Sequence, residues 1–215
     1  MVMVANTDKG RMISLCGSGI DVFEQRSADE QTAILNALQR FKDGSKVELL
    51  TPKSSVLGPQ LTAMLAERTG PFNPKKFFKT RPGLYVGDSY TSRVLSEAQT
   101  LPARPGMTIS YRPLVGPAND AKIIQDLPQG HIFANASVLC DCIAGMIDQQ
   151  KNAEEGPLLN NGSANIFHYY DKNGGVSAVR VRWLSGDRRW RVGAFGLGDS
   201  QWSAGSRVFS ATAGS

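Results

Sequence analysis

Val176-Ser-Ala-Val-Arg-Val-Arg-Trp-Leu-Ser-Gly-Asp-Arg-Arg-Trp-Arg-Val-Gly-Ala-Phe195 alternates apolar and basic side chains on both sides of one turn. Successive side chains of a β-strand point to opposite faces, so this pattern reads as a hairpin with two unlike surfaces. With Gly186-Asp187 as a two-residue turn, Trp183 stands opposite Trp190, Val181 opposite Val192, and Arg182 opposite Arg191. One face then carries Val179, Val181, Trp183, Trp190, Val192 and Ala194. The other carries Arg180, Arg182, Arg189 and Arg191. Like charges directly across a sheet repel, so a face of arginines predicts an anionic partner.

The segments on the N-terminal side of the hairpin extend this reading. Asn165 to Tyr170 is expected to be a strand, joined to the hairpin by the turn Asp171-Lys-Asn-Gly-Gly175. If that turn pairs Phe167 with Val179, then Phe167 and Tyr169 join the tryptophan face, and His168 and Tyr170 join the arginine face. From about Asn135 to Gln150 the chain reads as a long helix with an apolar stripe of Leu139, Cys142, Ile143, Met146 and Ile147. Asp141 and Asp148, seven apart, share its opposite face. Packing the stripe on the tryptophan face gives a two-layer sandwich of one helix on an antiparallel β-meander, with aspartates outside on the helix and arginines outside on the sheet. Gln201 to Ser210 is read as a last strand.

The fold class expected is therefore α+β, with a C-terminal sandwich over 118–215 preceded by a smaller, helix-rich α+β subdomain over 1–100. In that first part, Ser27-Ala-Asp-Glu30 forms a capping box ahead of Ile34, Leu35, Leu38 and Phe41. Lys46–Leu50 reads as a short strand, and a second helix is expected from Pro59, burying Leu61, Met64 and Leu65 and ending near Thr69-Gly70. Leu84-Tyr-Val86 is a short strand, and Met107 to Tyr111 an edge strand. Pro102, Pro105, Pro113 and Pro117 mark 101–117 as the connection between the two parts. The segments beginning Gly87-Asp-Ser and Gly198-Asp-Ser echo each other, with their Ser-Arg-Val stretches at 92 and 206 lying 114 positions apart, but their flanks diverge.

The composition is that of an ordinary globular protein, with 41% hydrophobic and 20% charged residues over 215 positions and a net charge of +5. Charge is unevenly placed. Ala118 to Glu155 holds two Lys against four Asp and two Glu (2 − 6 = −4), and Val176 to Phe195 holds five Arg against Asp187 (5 − 1 = +4). The opening residues lack the basic segment and long apolar stretch of a signal peptide, and no run reaches the roughly 18 apolar residues of a membrane span. Three cysteines, Cys16, Cys140 and Cys142, fit a reducing compartment. A cytoplasmic location is expected.

Two clusters are candidate binding sites. The first is Arg180, Arg182, Arg189 and Arg191, whose planar guanidiniums suit phosphate or carboxylate, with His168 and Tyr170 for stacking. The second is the loop Pro74-Lys-Lys-Phe-Phe-Lys-Thr-Arg-Pro82, where Lys75, Lys76, Lys79 and Arg81 surround Phe77 and Phe78. It suits a nucleic-acid strand, or Phe77 and Phe78 anchor the loop while the lysines stay in water. Cys140-x-Cys142 has the wrong spacing for a metal pair. Cys16-Gly-Ser-Gly19 and Gly193-Ala-Phe-Gly-Leu-Gly198 lack the context of nucleotide loops. Neither histidine, His131 or His168, sits beside a recognisable nucleophile. No metal, cofactor or catalytic residue is expected. The expected partner is a nucleic acid or another polyanion, engaged by a non-enzymatic binding protein. The alternative is an acidic protein surface, met by a structural or regulatory protein such as an assembly component or accessory factor of a phage or mobile element.

Overall fold

The computed structural model describes residues 55–198 and 201–211, together with the helical positions Thr32, Leu35 and Gln39. The capping box at Ser27, most of the helix after it, the strand at Lys46–Leu50, and Cys16 lie outside the described residues. The chain divides into two compact units, 1–54 and 55–215. The second contains, in order, β1 (Leu61–Leu65), α1 (Pro74–Phe77), β2 (Leu84–Val86), and α2 (Asp88–Tyr90), which runs on into a π-helical turn, Thr91–Leu95. Then come β3 (Met107–Pro113), β4 (Ala118–Asn119), α3 (Asp120–Asp126), α4 (Ala136–Gln149), β5 (Asn165–Tyr170), β6 (Val176–Leu184), β7 (Arg189–Phe195), β8 (Gln201–Trp202) and β9 (Arg207–Ser210).

This is an α+β protein. Seven strands form one sheet in the order β1-β3-β9-β5-β6-β7-β2, and β4 pairs with β8. All neighbours in the large sheet are antiparallel except β9/β5 and β7/β2. Trp183 pairs with Trp190, Arg182 with Arg191, Val181 with Val192, and Phe167 with Val179. The loop between β6 and β7 is four residues long, Ser185 to Arg188, and Arg188 takes a positive φ of 47°.

Helix α4 forms where its stripe and cap predict it. Asn135 caps it, its side-chain oxygen accepting from the amides of Ser137 and Val138 at 2.9 and 3.1 Å. Leu139, Cys142, Ile143, Met146 and Ile147 are buried in one cluster with Phe167, Val181, Trp183 and Trp190. The other sheet face is covered in its middle. Ile166, Ala178 and Val208 pack there with Ile123 of α3 and Trp202 of β8.

Three expectations about these elements change. Residues 61–65 are a strand, with Leu61 and Met64 46% and 65% exposed. A helix from Pro59 to near Thr69 would be too short to hold by itself, and pairing along all of β1 with β3 satisfies the backbone instead. Residues 101–117, expected as a connection between two subdomains, supply β3, which lies inside the sheet between β1 and β9 rather than at an edge. The Gln201–Ser210 strand breaks into β8 and β9 at a turn where Gly205 has φ of 83°. The echoed segments differ: Asp88–Leu95 is helical and Arg207–Ser210 extended.

Asp141 is also inside, at 3% exposure, whereas Asp148 is exposed. Its carboxylate pairs with Arg68 Nε at 2.6 Å and with Arg104 Nε, and Arg104 also donates to the Ala66 carbonyl at 2.9 Å. One helix face thus meets covering chain at its start and water at its end. Asp141→Ala would leave two arginines without their acceptor and is expected to cost about 3 kcal/mol. Asp148→Ala should stay within about 0.5 kcal/mol of wild type. Urea unfolding of the two variants tests this, and equal midpoints would refute it.

Candidate anion-binding face

Strands β6, β7 and β2 build the site. Because Val181, Trp183, Trp190 and Val192 face α4, the pleat sends Arg180, Arg182, Arg189 and Arg191 to the other side of the sheet. Arg191 is exposed and the other three are half-buried. Tyr85 of β2 pairs with Arg191 and sits under two guanidiniums, with Arg189 and Arg191 at 5.0 and 5.3 Å from its ring centre. Arg180 lies 4.8 Å over the ring of Phe195. Such stacking holds a guanidinium in place and leaves its N–H groups for a ligand.

Charge on this face is poorly balanced. Arg189 meets Asp187 at 2.9 Å. Among the described residues no carboxylate lies within ion-pair distance of Arg180, Arg182 or Arg191, and the Nε atoms of Arg182 and Arg189 are buried without an acceptor. Burial, and then the neighbouring charges of Arg182 and Arg191, push the Arg180 guanidinium below its ordinary value. A cavity of about 440 Å³ opens beside Arg180 and Arg182, walled by residues 161–164 ahead of β5 and by residues of the 201–206 segment.

His168 does not join the open face. It is 1% exposed, and its Nε2 donates to Asp120 Oδ1 at 2.8 Å, an oxygen that also accepts from Trp202 Nε1 at 2.7 Å. Asp120 is fully buried, so this histidine–carboxylate pair is out of reach of a substrate. Its effect is to fix Trp202, which meets Phe195 edge-on at 6.0 Å and 86°. Tyr170 is 42% exposed, but it pairs with Val176, four residues along β6 from Arg180. That is about 13 Å away along the strand. His131 approaches Ser210 Oγ at 3.2 Å, and burial, then Arg112, lower its proton affinity.

The second cluster lies on the loop around α1, whose Arg81 bridges by its backbone to Leu84 of β2. Lys75, Lys76 and Lys79 are exposed, Phe78 is buried against Tyr90, and Phe77 is partly buried. Arg81 donates to the carbonyl of Phe77 and lies 4.8 Å over its ring. Its guanidinium closes the loop.

Sequence reading missed Tyr85, Phe195, Asp120 and Trp202 as parts of the site. The apolar flanks Leu84 and Val86 mark Tyr85 as outward-facing, but nothing local sets β2 beside β7. Among the described residues there is no group of three or more His, Cys, Asp or Glu placed to hold a metal. No helix among them is long and apolar enough to cross a membrane. Compared with known families, curated proteins and solved structures, the chain matches none.

Cys140 and Cys142 are fully buried, and burial pushes both thiols up to about 12. At pH 8 the thiolate fraction of each is about one in ten thousand. A disulfide-exchange reagent is expected to leave both unmodified in the native protein and to titrate both in denaturant. Peptide mapping that finds either one labelled under native conditions contradicts this.

Proposed function

We propose that the face formed by Arg180, Arg182, Arg189, Arg191 and Tyr85 binds a nucleic acid or another polyanion through its phosphates. The observation that carries this reading is the set of three crowded guanidiniums without a carboxylate partner. Guanidiniums held side by side repel one another, and a line of phosphates removes that repulsion while accepting their N–H groups in pairs. The exposed Arg191 and the stacked Tyr85 give such a strand a place to begin.

Binding of this kind falls steeply with salt, with a slope of about 0.7 per neutralised phosphate on a single strand. Arg182→Gln and Arg191→Gln should each weaken binding of a labelled single-stranded oligonucleotide and reduce that slope by about one contact. Their melting temperatures should be unchanged or raised, because each substitution relieves like-charge repulsion across the sheet. Fluorescence anisotropy in low salt reads the first effect and thermal unfolding the second. No binding of RNA or DNA at micromolar protein overturns the reading. Capture of an acidic protein in its place would reassign the face to protein docking.

A further inference from the structure

We propose that the cavity beside Arg180 and Arg182 is a site for a terminal phosphate, the phosphomonoester of a free nucleotide or of an oligonucleotide end. This rests on the reading of the arginine face as a phosphate-binding surface and adds which phosphate it selects.

Three features of the cavity point this way. Among the described residues its charged lining consists of two arginines, Arg180 and Arg182, and no acid. Ser163, Ser203 and Ser206 also line it, residues whose hydroxyls can donate to phosphate oxygens without adding charge. At about 440 Å³ the space lies within the range of small-molecule sites and exceeds a bare phosphate.

The walls are also preset. Arg180 stacks on Phe195, Phe195 meets Trp202, and Trp202 is tied to the buried Asp120. Asn161 Oδ1 accepts from the Ser163 amide at 3.0 Å, and Gly162 between them takes φ of 87°, which holds that loop in a tight turn. The loops are tied to each other where Arg207 N donates to the Ala164 carbonyl at 2.9 Å. A ligand met by groups already in position loses less entropy on binding.

Position selects the end of a chain over its middle. Tyr85, Arg189 and Arg191 lie on β2 and β7, and Arg182 pairs with Arg191 on the next strand inward. Beyond Arg180 and Arg182 the path meets the loops that lead into β5 and β9. A basic track that meets two loops suits a terminus there better than a continuing strand. A terminal phosphate also carries close to two negative charges near neutral pH, against one for an internal diester.

The test uses the full chain and short single-stranded RNA and DNA carrying a phosphate at the 5′ end, at the 3′ end, or at neither, labelled at the opposite end. A phosphorylated end is expected to bind about tenfold tighter or better than the hydroxyl form. Arg182→Gln should remove that difference, and Arg191→Gln should weaken all forms alike and leave it in place. Ser203→Asp, at an exposed position on the cavity rim, adds a charge without disturbing the core and should also remove it. A nucleoside monophosphate should compete where its nucleoside does not, and tryptophan emission should change as Trp202 is contacted. If mononucleotides bind and no oligonucleotide does, the cavity assignment stands and the extended face falls. Equal affinity with and without an end phosphate overturns the cavity assignment and leaves the face. Failure of every probe to bind overturns both.

Discussion

Trp190 is fully enclosed, and its indole N–H donates to the carbonyl of Gln150, 2.8 Å away at the end of α4. That bond joins the hairpin to the helix at a point where helix carbonyls need partners. Gln150 in turn holds the chain after the helix, its side chain bonding Leu158 N at 2.9 Å, Leu158 O at 3.0 Å and Glu154 O at 2.8 Å. The fit leaves no room for a side chain at Gly156, where a Cβ would fall 2.5 Å from Gln150 Cδ. Once Trp190 and Trp183 are fixed inward, the pleat gives Arg182, Arg189 and Arg191 no other direction than outward. A slip of one residue would exchange the two sets and bury four charges.

The opposite face of the sheet is less uniform. Its centre is closed by α3, β4 and β8 through Ile123 and Trp202, with Asp120 receiving two donors in the interior. A buried carboxylate is tolerable only when such donors offset its lost hydration. The same arrangement sets the limit of the cover. Trp202 stands at its border, and the corner formed by β6, β7 and β2 keeps its guanidiniums half-open beside that edge. The candidate site is thus a boundary between a packed layer and a solvated one.

What could be read from the sequence follows contact distance along the chain. The hairpin register, the turn at Asp171–Gly175, β5 and the bounds of α4 are set by neighbours within a few residues, and each was legible. Leu61, Met64 and Leu65 fit a helical spacing equally well, and only pairing with β3, some 45 residues on, makes them a strand. The arginine face was legible because alternation alone assigns it. Its surroundings were not: Tyr85 arrives by parallel pairing over about a hundred residues, and the link from Asp120 to His168 spans 48. Asp141 looked like a solvated residue because its partners, Arg68 and Arg104, come from chain that the helix pattern does not mention.

The place of β9 in the sheet bears on how the sheet closes. It is the last of the described strands in sequence, yet it lies between β3 and β5, and no other described strand bridges the two groups β1-β3 and β5-β6-β7-β2. Until Arg207 to Ser210 is in place, both groups carry an open edge of unsatisfied amides and carbonyls. Such edges invite pairing with other chains. Four residues, Arg207 to Ser210, close both at once, so any species in which β9 has not docked exposes two edges together.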